Sequence, residues 1–156
     1  QMKKLMFALV LVSSLGISSL RAEEIESSKS LKSISKQAIE LNLPQFSKYL
    51  QIGDAQELEG VYATVDRRYV IAIIKNKKKS HDYIGVVISA DNKYWEKGEV
   101  KFNFVKKENK LQGFYYNQAG KAIPIQFSIN EYGALETKLL EKLTLEEFKM
   151  SQLAGL

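Results

Sequence analysis

The sequence predicts a mainly β protein, an antiparallel meander of about seven strands that forms a curled sheet or a barrel, with short helices at its N- and C-terminal ends. Three observations predict it. From Gly60 onward, apolar residues alternate with polar ones, as where Ile123, Ile125, Phe127 and Ile129 oppose Ala122, Pro124, Gln126 and Ser128; successive side chains of a strand point to opposite faces, so such a segment is half buried. Clusters of turn-forming residues separate these runs. No helical segment lies between them, and strands without crossover helices pair antiparallel.

Residues 1–22 differ from the rest. Lys3 and Lys4 precede an unbroken apolar run, Leu5 to Val12, and small or polar residues follow to Ala22. This order of zones is that of a secretory signal peptide cut after Ala22, and the run is too short for a permanent membrane span. No Cys follows it for lipid attachment. The expected location is therefore periplasmic or secreted, with no stable membrane insertion after cleavage. Residues 23–33, Ser-rich and charged, read as a flexible leader to a single β-rich domain over 34–156.

Within that domain, Ile34, Ala38, Ile39 and Leu41 recur at helical spacing and predict a short helix that Pro44 ends. Phe46, Tyr49 and Leu50 suggest a further helical piece stopped at Gly53. The expected strands are 60–64, 69–75, 83–90, 99–106, 111–116, 122–129 and 134–139, with Pro124 marking an edge or a bulge. Thr144 with Glu147 three residues on is a capping box, so a short terminal helix with Leu145 and Phe148 on its apolar face covers one end of the sheet.

Composition narrows the chemistry. With 45% hydrophobic and 26% charged residues, the chain folds rather than remaining disordered. Zero Cys and one His exclude a disulfide scaffold, a thiol nucleophile and multi-His or thiolate metal sites, and no cofactor motif is present. The net charge of +5 invites a nucleic-acid reading, but loss of Lys3, Lys4 and Arg21 with the signal peptide leaves 20 basic against 18 acidic side chains. What survives is a local basic hairpin, Arg67 and Arg68 with Lys75, Lys77, Lys78 and Lys79, flanked by Asp66 and Asp82. Because the lysine run sits in a predicted loop between two strands with acids alongside, it reads as a solvated tip rather than a nucleic-acid site.

Catalytic sets do not assemble. His81 and Asp82 are adjacent and point to opposite faces of a strand, so the carboxylate cannot orient the ring. Glu57 and Glu59 lie on one side of an extended segment, but their place in a polar link suits solvation. The aromatic set is more informative. Tyr94 and Trp95 occupy a loop, and Tyr115 and Tyr116 must face opposite sides of one strand. Such rings suit binding contacts, although a lone Trp commonly plugs the end of a sheet.

The runs Glu59-Gly60-Val61-Tyr62, Tyr69 to Asn76, Asp82 to Ile88, Trp95 to Lys101 and Gly113-Phe114-Tyr115-Tyr116 resemble a β-rich accessory module of secreted bacterial proteins, one that often stands beside trypsin-like peptidases or other hydrolases. The likeness covers residues 57–140 and implies a non-catalytic role, since that family's chemistry resides in the neighbouring domain. The Gly-x-Tyr opening at Gly60 and the meander also look lipocalin-like, with Tyr62 where a Trp is usual. Three expectations follow: a non-catalytic binding or accessory domain recognising protein, peptide or glycan; a carrier whose barrel, lined by Ile71, Ile73, Val87, Phe102 and Phe127, holds a small apolar ligand; or the N-terminal appendage of a longer secreted hydrolase.

Overall fold

A computed structural model describes residues 38–52, 55–76 and 82–154. The signal peptide, the flexible leader, His81 and Lys77 to Lys79 lie outside the described residues. In chain order the elements are α1 (Leu43–Gln51), β1 (Gly60–Thr64), β2 (Tyr69–Lys75), β3 (Tyr83–Ala90), β4 (Val100–Lys107), β5 (Lys110–Tyr116), β6 (Ala122–Ile129), β7 (Leu135–Glu136), β8 (Leu140–Leu143) and α2 (Leu145–Ala154).

The eight strands form one antiparallel sheet in the order β7-β6-β5-β4-β3-β2-β1-β8. β7 and β8 are thus opposite edges of the sheet, yet residues 137–139 alone separate them in the chain. Such a link reaches roughly 14 Å at most, so the sheet must curl until its edges approach. The result is a half-barrel.

Alternation sorts the side chains to two faces. Cα pairing sets Tyr62 opposite Ile71, Ile71 opposite Val87, Gly85 opposite Phe102, Phe104 opposite Gly113 and Leu111 opposite Phe127, which places all of them on the concave face. The rings fill that face: Phe104 lies 5.7 Å from Phe102 and 5.5 Å from Phe127 between centroids. Phe102 also covers Gly85, where a Cβ would stand 2.9 Å from it. At Gly113 a Cβ would meet the carbonyl oxygen of Asn103 at 1.7 Å, so only glycine lets β5 approach β4 there.

The convex face of β1–β3 has a core of its own. Val61, Ala72 and Ile88 are buried beneath Phe46 of α1 and Phe148 of α2, with Leu41, Leu43 and Leu143 packed alongside. Ile39 and Leu41 extend this cover over Ile84, Val86 and Val100. Burying each such large side chain contributes about 1.5–3 kcal/mol.

Three expectations need correction. Residues 38–42 are not helical; Ala38 forms an antiparallel bridge with Glu99, and the helix starts at Leu43. Ile39, Leu41 and Leu43 fit an alternating period as well as a helical one. Pro44 opens α1 instead of closing a helix, because its missing N–H is not needed in a first turn, while the Asn42 side chain accepts from the Gln45 N–H at 3.0 Å. Of the expected strand over 134–139 only Leu135–Glu136 is strand, β7, and an eighth strand that was not expected, β8, follows at Leu140–Leu143. The terminal helix is as expected: the Glu147 N–H donates to the Thr144 hydroxyl at 3.0 Å, and the Thr144 N–H to the Glu147 carboxylate at 2.8 Å. Pro124 lies on a stretch of β6 that pairs with β5 alone, since β7 reaches only Ser128 and Ile129.

Candidate functional site: an aromatic loop over a caged lysine

The loop between β3 and β4 carries Tyr94 and Trp95, and local hydrogen bonds give it one shape. The Asn92 side chain accepts from the Tyr94 N–H at 3.0 Å and donates to the Tyr69 hydroxyl at 2.8 Å. The Glu99 carboxylate accepts from the Glu96 N–H at 2.8 Å. Gly98 donates to the Val87 carbonyl at 2.8 Å and accepts from the Ile39 N–H at 2.7 Å. Its φ of +94° and a virtual Cβ 2.7 Å from the Ile39 oxygen both require glycine.

Trp95 points inward and is buried, whereas Tyr94 is 47% exposed. Over Trp95 sits Lys101, only 7% exposed. Its ammonium stands 4.2 Å from the Trp95 ring centroid, 4.5 Å from Tyr69 and 5.9 Å from Tyr115, and donates to the Tyr116 carbonyl at 3.0 Å. A bulge accounts for this position. Pairing steps from Gly85–Phe102 to Val86–Val100, so Lys101 is the extra residue that the ladder skips, and a bulge re-aims the side chain it carries. Each ring–cation contact contributes about 0.5–2 kcal/mol.

Of the four aromatics singled out in the sequence, Trp95 and Tyr115 therefore turn their rings to the chain's own cation, and Tyr116 meets it through its backbone carbonyl. Tyr115 lies on the concave face, 6.2 Å from Phe102 between centroids. Tyr116, fully buried, accepts a hydrogen bond from the Asn103 amide at 2.7 Å. Burial pushes its phenol up to about 12, against a smaller lowering effect of the Asn103 hydrogen bond. Tyr94 is the member of the set presented to solvent.

The basic hairpin does not form one patch. Arg67 and Arg68 belong to the turn before β2, while Lys75 is its last residue; an antiparallel strand of that length sets its two turns roughly 20 Å apart. Arg67, at φ +63°, is paired with Glu141 of β8 at 2.6 Å. Asp66 accepts from the Thr64 hydroxyl and the Arg68 N–H, which hold its carboxyl below the usual range. Asp82 serves the sheet: its carboxylate accepts from the Lys106 N–H at 2.6 Å.

Glu59 also needs correction, for it is buried rather than solvated, at 4% exposure. It accepts from the Tyr49 hydroxyl at 2.7 Å, the Gln56 N–H at 3.0 Å and the Lys75 N–H at 3.0 Å, joining α1, the preceding turn and β2. The Gln56 side chain accepts in turn from Tyr83, whose phenol is pushed up by burial and by Glu59 and Asp82 nearby. Its place directly before a strand, between Leu58 and Gly60, was the signal for burial. Glu57 behaves as expected: exposed, with its carboxylate 3.4 Å from Lys142. Among the described residues, no helix is long and apolar enough to cross a membrane.

Compared with protein-family models, curated proteins and solved structures, the chain matches none.

Proposed function

We propose that this chain is a non-catalytic binding or accessory domain of an exported bacterial protein, recognising a protein, peptide or glycan through the loop that carries Tyr94. The supporting observation is the pre-organised loop: hydrogen bonds at Asn92, Gly98 and Glu99 hold it, Trp95 anchors it beneath, and Tyr94 is left outward. A rigid loop presenting an amphipathic ring loses little entropy on binding. The likeness to modules beside secreted hydrolases fits an accessory role of this kind. The carrier reading draws less support, since Phe102, Phe104 and Phe127 stack on one another across the concave face.

Glycan and peptide arrays probed with the purified protein test this reading. Ligands captured by wild type should be lost by Tyr94→Ala and retained by Tyr94→Phe or Tyr94→Trp. Hydrolysis of peptide, ester or glycoside substrates that disappears in Glu57→Gln or His81→Ala would refute it.

A further inference from the structure

An open groove of about 1030 Å³ runs on the convex side between α1, the end of the Tyr94 loop and α2. Its apolar lining includes Leu41, Leu43 and the buried Phe148, which belong to or pack on the convex core. Three lysines from three separate elements rim it: Lys48 of α1, Lys97 of the loop and Lys149 of α2, all exposed. Among the described residues, no acidic side chain lines it. The N-terminus of α1 opens onto the same groove through Asn42, Leu43 and Pro44, and the first turn of that helix holds no acidic residue; the helix dipole therefore adds to the positive field.

We infer that this groove docks an acidic amphipathic peptide segment of a partner protein, its aliphatic side chains on Leu41, Leu43 and Phe148 and its carboxylates against Lys48, Lys97 and Lys149. The volume is at the upper end of small-molecule pockets and the site is open, which suits a chain segment laid along two helices. Charges divided among three elements match carboxylates spaced along a peptide, whereas one anionic headgroup would meet one end of the groove. The inference uses a surface other than Tyr94, so Tyr94→Ala should leave it intact and the two readings fail separately.

The test is selection of displayed random peptides on the full-length protein. The probes are the enriched peptides and, separately, vesicles of phosphatidylglycerol with phosphatidylcholine. Enriched sequences should interleave Asp or Glu with Leu, Ile or Phe. Their affinity should fall roughly tenfold or more in the Lys48→Glu/Lys97→Glu/Lys149→Glu variant and by a few-fold or more on raising salt from about 50 to 300 mM. Ser47→Trp, which fills the groove without a charge change, should abolish binding, with circular dichroism confirming that each variant is folded. Absence of any acidic–aliphatic enrichment overturns the inference, as does binding unaffected by Ser47→Trp. Vesicle binding that displaces the peptides and depends on the same lysines overturns it in favour of a membrane contact.

Discussion

The two faces of the curled sheet are completed in different ways. The concave face closes on itself: residues brought together by strand alternation alone, Tyr62, Ile71, Phe102, Phe104 and Phe127, bury one another. The convex face of β1–β3 depends on segments from either end of the described chain, Ile39 to Leu50 and α2, which meet over Val61, Ala72 and Ile88. A face packed by its own strands is filled with rings. A face covered by two short helices retains a seam between them, and the seam is where the open groove lies.

The sharpest way to break this comparison lies at the concave face. Gly113→Ala forces a Cβ against the Asn103 carbonyl, and a loss of about 4 kcal/mol or more, or failure to fold, is expected in urea denaturation. A loss under about 1 kcal/mol would mean the approach of β5 to β4 is not tight. Next comes the pair Phe104→Ala and Phe148→Ala, each costing about 3–5 kcal/mol if the site cannot collapse. The two should differ in kind: Phe104→Ala alters the near-ultraviolet dichroism of the stacked rings, and Phe148→Ala removes the helical signal first while the ring signal persists. Identical signatures would erase the distinction between the faces.

Glu59→Gln follows in size. Glutamine offers one acceptor oxygen where the carboxylate serves three donors on two, so a loss of about 1–3 kcal/mol is expected, measured by thermal or urea unfolding. An unchanged midpoint would show that water serves those donors equally well.

The smallest effect is pH dependence at Tyr116. Its phenol is raised in the folded state from 10.0 to about 12, so its contribution to stability is complete below pH 10 and is lost as pH rises toward 12. Urea midpoints taken on either side of pH 10 should fall less in Tyr116→Phe than in wild type. Parallel loss in both proteins would assign the alkaline sensitivity elsewhere.

The strands from Gly60 to Ile129 were legible because β4 and β6 alternate, β1 to β3 are short apolar runs buried on both faces, and each turn was marked by Asn, Asp or Gly. β8 was not: its apolar residues, Leu140 and Leu143, are three apart and carry no period of two. The gathering of Trp95 and Tyr115 could be suspected as a cluster of rings, but not what they enclose. Lys101 alternates with Val100 and Phe102 in the sequence and should face outward; one bulge reverses that. The place of Glu59 between Leu58 and Gly60 hints at burial, but only α1, which brings the Tyr49 hydroxyl to its carboxylate, separates it from the solvated Glu57 two residues earlier.

Local pattern by itself therefore determined the β class, most strand limits, the capped terminal helix and the residues of the concave core, because these depend on periods and caps within a few residues. Long-range pairing decided the rest. The return of β8 to β1, the bulge at Lys101, the separation of Arg67 from Lys75 and the seam between α1 and α2 are set by which distant segments share hydrogen bonds or a buried surface, and no local period encodes that choice.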